Sequence, residues 1–219
     1  MVFNFADLFD LAGCPCPDVF ERCAYPWEVV PRIPAVIDEV LELNPGKYKE
    51  IAPQIWVGEG TTIADTAVLV GPALIGANCE IRPNAYVRGN VIVGDGVVLG
   101  NATEIKQAIV FSRVQLPHYN YVGDSILGGK VHLGAGAIIS NLKSVQGLVR
   151  IKYNGQVLET GLRKLGAILG DGVEVGCNAV LNPGTVVGRG TVIYPVTSVR
   201  GVLPAGMIFK GEGKLVPRR

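Results

Sequence analysis

The chain carries two histidines, His118 and His132. An imidazole ordinarily titrates near neutral pH and is the side chain most often used to move protons in catalysis. His118 lies in Leu116-Pro117-His118-Tyr119-Asn120-Tyr121-Val122-Gly123-Asp124, a segment at a slip in an otherwise regular apolar register, where side chains can be re-aimed out of a wall. His118 is therefore expected to transfer protons rather than to be a solvated surface histidine. Cys177 could act as a nucleophile, but no titrating base adjoins it in sequence, so a buried small residue is the expectation there. Cys14, Cys16 and Cys23 cluster near the amino terminus and, with Cys79 and Cys177, make five cysteines. An odd count argues against a disulfide framework, and C-x-C without a nearby histidine is not a zinc pattern. We expect no metal and buried thiols in a proline-rich cap.

Composition narrows the partners. Charged residues make up 18% of the 219 positions, the formal charge is +1, and 29 residues are glycine, against about 25% charged in an ordinary domain. No basic field for nucleic acid and no acidic tail are present, so small molecules or further copies of the chain are the expected partners. The amino-terminal Met1-Val2-Phe3-Asn4-Phe5-Ala6-Asp7 lacks the basic and apolar regions of a secretory signal, and no apolar run approaches about 18 residues. A cytoplasmic protein away from membranes is expected.

Stepping along the chain, an aliphatic residue recurs every sixth position at Val57, Ile63, Leu69, Ile75, Ile81, Val87, Val93, Leu99 and Ile105. This period belongs neither to a helix nor to simple strand alternation. It predicts an all-β fold, a left-handed parallel β-helix of hexapeptide repeats: a coil with three short flat faces whose aliphatic residues fill a narrow prism. Compact residues such as Thr61, Ala67, Ala73, Cys79, Ala85 and Thr103, four places after each aliphatic one, fill the corners. The glycines directly after the aliphatic residues, as in Val57-Gly58 and Leu99-Gly100, are expected to serve backbone angles with φ > 0. The register then moves to Val110, Leu116 and Val122, and again to Leu127, Leu133 and Ile139, losing one residue each time. It resumes at Leu169, Val175, Leu181, Val187, Ile193 and Val199.

Residues from about 142 to 166 must therefore leave the prism. Within them, the apolar-polar runs 149–153 and 156–159 flank Asn154-Gly155, a strong signal for a two-residue hairpin turn. Such an arm is expected to reach a ligand or a neighbouring subunit. Ahead of the repeats, residues 1–54 read as a helical and irregular cap. Phe5, Leu8 and Phe9 have helical spacing, and a second helix is expected from about Pro34 to Leu43, with Ile33, Val36, Ile37 and Val40 facing inward and Asn44-Pro45-Gly46 as its stop. A cover of this kind would close the open end of the prism. The β-helix is expected over 55–208, followed by a tail, 209–219, whose cations could meet phosphates or solvent.

His118-x-x-Tyr121-x-Gly123-Asp124, Leu133-Gly134-Ala135-Gly136 followed by Asn141, and Gly100-Asn101 with Glu104-x-Lys106 resemble the signatures of the acetyltransferase domain of bifunctional N-acetylglucosamine-1-phosphate uridyltransferases. Thr160-Gly161-Leu162-Arg163-Lys164-Leu165-Gly166 is similar to archaeal sugar-1-phosphate nucleotidylyltransferases that carry this domain. The likeness covers roughly residues 55 to 210. It implies acetyl transfer from acetyl-CoA to the amine of an amino-sugar 1-phosphate such as glucosamine 1-phosphate, in homotrimers with sites between neighbouring prisms. It implies His118 as general base, Glu104 as its supporting carboxylate, and Arg88 and Lys106 as the cations that hold the sugar phosphate. Tyr121, Asn141 and Lys164 would be sugar-side contacts. His132 stands where the family has an asparagine in the sugar pocket, Leu142 where it has a tyrosine, and Cys177 where it has a serine near the acetyl group. Ala135, Cys177 and Pro195 would line the acetyl-CoA path, and a backbone N–H from Gly134-Ala135-Gly136 or the next coil could meet the oxyanion.

Other readings are an acyltransferase for a different sugar amine or hydroxyl, and a non-catalytic sugar-nucleotide-binding scaffold. Zinc carbonic anhydrases with this fold need three histidine ligands, more than the chain contains. No G-x-G-T-R nucleotide loop occurs and 56 residues precede the repeats, so nucleotidyl transfer is not expected.

Overall fold

The computed structural model describes residues 5–218; Met1–Asn4 and Arg219, parts of the amino terminus and the basic tail read above, lie outside the described residues. Short parallel strands stack coil upon coil into the walls of a β-helix. Every inward aliphatic position from Ile75 to Val199 in the register, including those after both slips, lies in one continuous buried core. The slips fall at a single corner, where the long strands Glu104–Val110 and Tyr121–Leu127 bend from one wall into the next. That corner spans Lys106-Gln107 in one coil and Gly123-Asp124 in the next, so His118 sits instead on a corner of regular spacing, between Leu116 and Val122.

Two expectations about the backbone need correction. The glycines that follow the inward residues are not at positive φ. They are there because a Cβ on Gly58 would come within 2.6 Å of the Ala77 nitrogen and one on Gly94 within 2.7 Å of the Ser112 nitrogen, both in the following coil. The left-handed conformation comes two residues later, at Gly60, Asn78 and Gly96. At the corner before the third wall it falls on Asn84, Ala102, Tyr119, Gly136, Asn178 and Val196.

The second correction concerns the cap. Helix Ile33–Leu43 forms as expected, one residue earlier than read, and buries Ile33, Val36, Ile37 and Val40. It does not close the prism's end. Together with Leu8, Phe9, Val19, Phe20 and Trp27 it packs on Leu74, Ile92, Ile109, Phe111, Ile126 and Ile168, the outward residues of one wall across successive coils. The amino-terminal segment is thus a strap along the first wall. Polar contacts pin it: Asp171 N donates to Leu8 O at 2.9 Å and Ser112 N to Gly13 O at 3.0 Å, and Gln107 Nε2 donates to Val30 O at 2.6 Å. Antiparallel strands instead cover the end of one wall at each terminus, Tyr48–Ala52 on Ile55–Gly58 and Leu215–Pro217 on Met207–Phe209, shielding those two strand edges. In the tail, Lys210 sits 5.6 Å from the Tyr194 ring and Arg218 donates to Gly190 O at 2.8 Å.

The excursion contains the expected hairpin, Arg150–Tyr153 paired with Gln156–Glu159, with Asn154 and Gly155 both at positive φ, the geometry of a type I′ turn. The arm does not project freely. Val149, Ile151 and Leu165 are buried in the same apolar layer as the strap, so it folds back on its own first wall. The chain rejoins the prism at Gly166, where a Cβ would collide with Gly123 O and Ser125 Oγ. Ser125, turned inward, accepts from Ala167 N at 3.1 Å and secures the return.

Candidate functional site

The second wall carries His132 and the strand that ends in His118; the third carries Glu104 and Tyr121. Between these walls, successive coils place Asn101, His118, Ala135, Cys177 and Pro195 at equivalent corner positions. A ladder of backbone bonds holds them in line: Tyr119 N to Asn101 O at 2.9 Å, Gly136 N to His118 O at 3.1 Å, Asn178 N to Ala135 O at 2.9 Å, and Val196 N to Cys177 O at 2.9 Å. The four residues expected at the acyl-transfer end therefore form one column. The imidazole of His118 is exposed and, among the described residues, makes no hydrogen bond. The amides of Ala135 and Cys177 likewise have no acceptor among the described residues, leaving two N–H groups free in this column.

Asn120 positions the corner from beneath. It is 2% exposed, donates through Nδ2 to Gly134 O at 2.8 Å and accepts from His118 N at 3.3 Å. Gly100 fixes it from the preceding coil, because a Cβ there would overlap the Pro117 carbonyl. That contact is backbone, which cannot swing aside, and overpacking of this kind costs about 1–3 kcal/mol or more. Gly100→Ala is expected to lower the melting temperature and to displace the Pro117-His118 corner, seen as a loss of turnover alongside the thermal shift.

On the third wall Arg88 Nη1 meets Glu104 Oε1 at 2.6 Å. Glu104 is thus engaged by Arg88, and it makes no bond to His118 among the described residues; the carboxylate further raises the pKa of the guanidinium, which remains a cation. One coil on, Lys106 Nζ donates to Asp124 Oδ2 at 2.8 Å. Asn141 Nδ2 bonds the same oxygen, and the Tyr121 hydroxyl donates to Asn141 Oδ1 at 3.4 Å. Lys164 is brought beside this group by its pairing with Leu142 and by the bond from Leu165 N to Asn141 O at 3.0 Å. Asp124 went unnamed as a site residue although it closes the quoted motif. A charged residue at a register slip is the sequence signal that could have found it, and in the structure it sits at φ +49. It is 6% exposed, so its carboxylate is held where an uncompensated charge would be costly, and it anchors Lys106 and Asn141 together.

Two residues fall elsewhere. His132 faces outward on the second wall, its Nδ1 2.9 Å from Glu174 Oε2, apart from the Lys106 and Asn141 cluster. Cys177 is exposed rather than buried, because its place in the corner column turns it away from the prism. Of the other thiols Cys16 is buried, and Cys14 and Cys23 only partly so. Hydrogen bonding to Cys14, with burial, pushes the Cys16 thiol up, and burial does the same for Cys23 and Cys79. No group of three or more His, Cys, Asp or Glu able to hold a metal occurs among the described residues, and no described helix is long and apolar enough to cross a membrane.

The fold and this paired arrangement, a corner column carrying an imidazole and a cation-rich wall beside it, define a hexapeptide-repeat β-helix protein. Residues 69–196 match the family model described as the GMPPB C-terminal domain, and the chain belongs to that family. Among curated proteins it is 32% identical over 186 residues to the bifunctional protein GlmU of Methanococcus maripaludis strain C5, covering 84% of this chain and 45% of that one. It is 35% identical over 109 residues to a bifunctional sugar-1-phosphate nucleotidylyltransferase/acetyltransferase of Sulfurisphaera tokodaii, covering 50% of this chain and 27% of that one. The chain spans less than half the length of these relatives. Among solved structures, the acetyltransferase domain of PglB from Neisseria gonorrhoeae FA1090 aligns with TM-score 0.43 and 18% identity over 91% of this chain and 76% of that one.

Proposed function

We propose that the chain is an acetyl-CoA-dependent N-acetyltransferase acting on an amino-sugar 1-phosphate such as glucosamine 1-phosphate, and that it works as a cytoplasmic homotrimer. The observation that carries this reading is the division of the site. The imidazole and free amides occupy one edge of the third wall, and the cations and polar groups occupy its surface and opposite corner. Threefold packing would set one copy's column against the next copy's cluster. The strap covers the first wall, which leaves the other two walls for that contact. The Sulfurisphaera relative, named for acetyl transfer and sugar 1-phosphates, supports the same reading.

In this mechanism the acceptor phosphate is held by Arg88 and Lys106, with Tyr121, Asn141 and Lys164 on the sugar. The His118 imidazole takes a proton from the acceptor amine as its nitrogen lone pair attacks the thioester carbonyl. The oxyanion that forms is met by a free corner amide, Ala135 N–H or Cys177 N–H. Collapse of that intermediate breaks the carbon–sulfur bond, and the thiolate of CoA leaves with the proton that His118 held. Ala135, Cys177 and Pro195 line the path of the thioester. His132 stands where the resemblance puts the family's sugar-pocket asparagine and is tied here to Glu174. That substitution favours, as a second reading, a different sugar amine as acceptor.

Thiol release from acetyl-CoA, measured against glucosamine, glucosamine 1-phosphate and nucleotide-linked amino sugars, tests the proposal. Fastest release is expected with the 1-phosphate. Release confined to nucleotide-linked sugars would refute the acceptor assignment, and none with any amine would refute acetyl transfer. Arg88→Ala should raise KM for the phosphorylated acceptor more than for its unphosphorylated analogue. Arg88 suits this test because its side chain is 43% exposed, whereas removal of Lys106 would strand a carboxylate that is 9% exposed. Equal changes with both acceptors would show that Arg88 does not bind the phosphate.

A further inference from the structure

Between the excursion and the corner leading from the third wall to the first lies a cavity of about 570 Å³. Four cations line it, Lys143, Arg150, Lys152 and Arg200, and no acidic residue does. The concentration stands out because the whole chain carries a net charge of +1. Lys143 Nζ donates to Leu148 O at 3.1 Å and Arg150 is engaged by Glu159 at 2.8 Å, while Lys152 and Arg200 have no partner among the described residues. The fold itself brings these charges to one cavity. Ile151 is buried against the first wall, so Arg150 and Lys152 on either side of it share the opposite face of the strand, and Arg200 comes from a coil near the end of the column. Arg150 has Glu159 as its counter-charge, but Lys152 and Arg200 have none among the described residues; such like charges repel, and an anion removes that cost.

We propose that this cavity is a second anion site that binds the diphosphate group of a nucleotide. Its place separates it from the acceptor phosphate. The corner positions Lys106, Gly123, Ser140, Asn182 and Arg200 belong to successive coils, and at about 4.8 Å per coil Arg200 lies roughly 19 Å along the axis from Lys106. One monophosphate cannot span that distance. Ser140, Ser144 and Asn182 add polar groups, and Leu142 and Val145, 48% and 75% exposed, give the rim an apolar face for a base or sugar ring. The inference deepens the transferase reading, since two ligands of such an enzyme can bring a diphosphate: CoA, or a nucleotide-linked acceptor.

Calorimetric titration of the whole protein with inorganic pyrophosphate, CoA and uridine diphosphate tests the site without turnover, so an inactive enzyme would leave the result intact. The double variant K152A/R200A removes the two unpaired, exposed cations and should melt like the native protein. Pyrophosphate is expected to bind the native chain and to lose about tenfold or more in affinity in the variant, the scale of lost charge-assisted bonds. A parallel loss for CoA, with uridine diphosphate unchanged, would assign the site to the acyl donor; the reverse would assign it to a nucleotide-linked acceptor. Unchanged affinity for all three probes in a normally folded variant would overturn the proposal.

Discussion

His118→Ala is expected to lower kcat by about two to four orders of magnitude, the usual worth of a general base, while the melting temperature stays where it was. The two halves of this expectation come from separate observations. The imidazole is exposed and bonds nothing among the described residues, so its removal opens no cavity and strands no partner. What holds the corner is the backbone bond from Gly136 N to His118 O and the side chain of Asn120, neither of which needs the ring. Steady-state thiol release and a thermal melt on the same preparation make the measurement. Undiminished turnover would exclude His118 from proton transfer. A fall in melting temperature matching the lost activity would make the ring structural instead. Asn120→Ala provides the contrast: it removes a buried amide with three polar contacts, so stability and activity should fall together.

The inward register was legible because one aliphatic residue per wall must meet the prism axis in every coil, and the count survives slips that shorten a corner. The functional column was legible through the family resemblance, which named His118, Ala135, Cys177 and Pro195; the fold puts them in line because positions one coil apart, seventeen or eighteen residues where no excursion intervenes, stack on one another. Less legible was the strap. Apolar stripes such as Ile33, Val36, Ile37 and Val40 say that a helix face is buried, not what buries it. The missing half of the argument lay in the repeats themselves. Val91-Ile92-Val93, Ala108-Ile109-Val110 and Ala167-Ile168-Leu169 are apolar at three consecutive positions and buried throughout, whereas Glu80-Ile81 and Glu174-Val175 alternate. A wall apolar on both faces must be covered on both. The cationic cavity was illegible for another reason: Lys143, Lys152 and Arg200 are brought together by the fold-back of the arm, which no spacing rule encodes.

Phe111→Ala is expected to be the most destabilising of the substitutions considered, by about 3–5 kcal/mol. Phe111 occupies a corner position that is glycine in neighbouring coils, at Gly94 and Gly128, and its ring is directed into the strap. It is fully buried, with centroids 5.0 Å from Phe9 and 5.6 Å from Phe20. Truncation would leave a void that Phe9 and Phe20 cannot fill, since both are themselves held by the surrounding apolar layer. For a chain of this size each kcal/mol moves the melting temperature by about 2–4 °C, so a fall of roughly 6–20 °C is expected, measured at fixed protein concentration because assembly would shift it. Phe111→Leu, which keeps most of the volume, should cost much less. The consequence for function is indirect: Gln107, at the slipped corner between Lys106 and the first wall, donates to Val30 in the strap. Loosening the strap should therefore shift the Lys106 corner and raise KM for the phosphorylated acceptor before it alters kcat. A melt unchanged by the alanine variant would mean that the strap is not held by this aromatic cluster, and that the first wall is covered by some other contact.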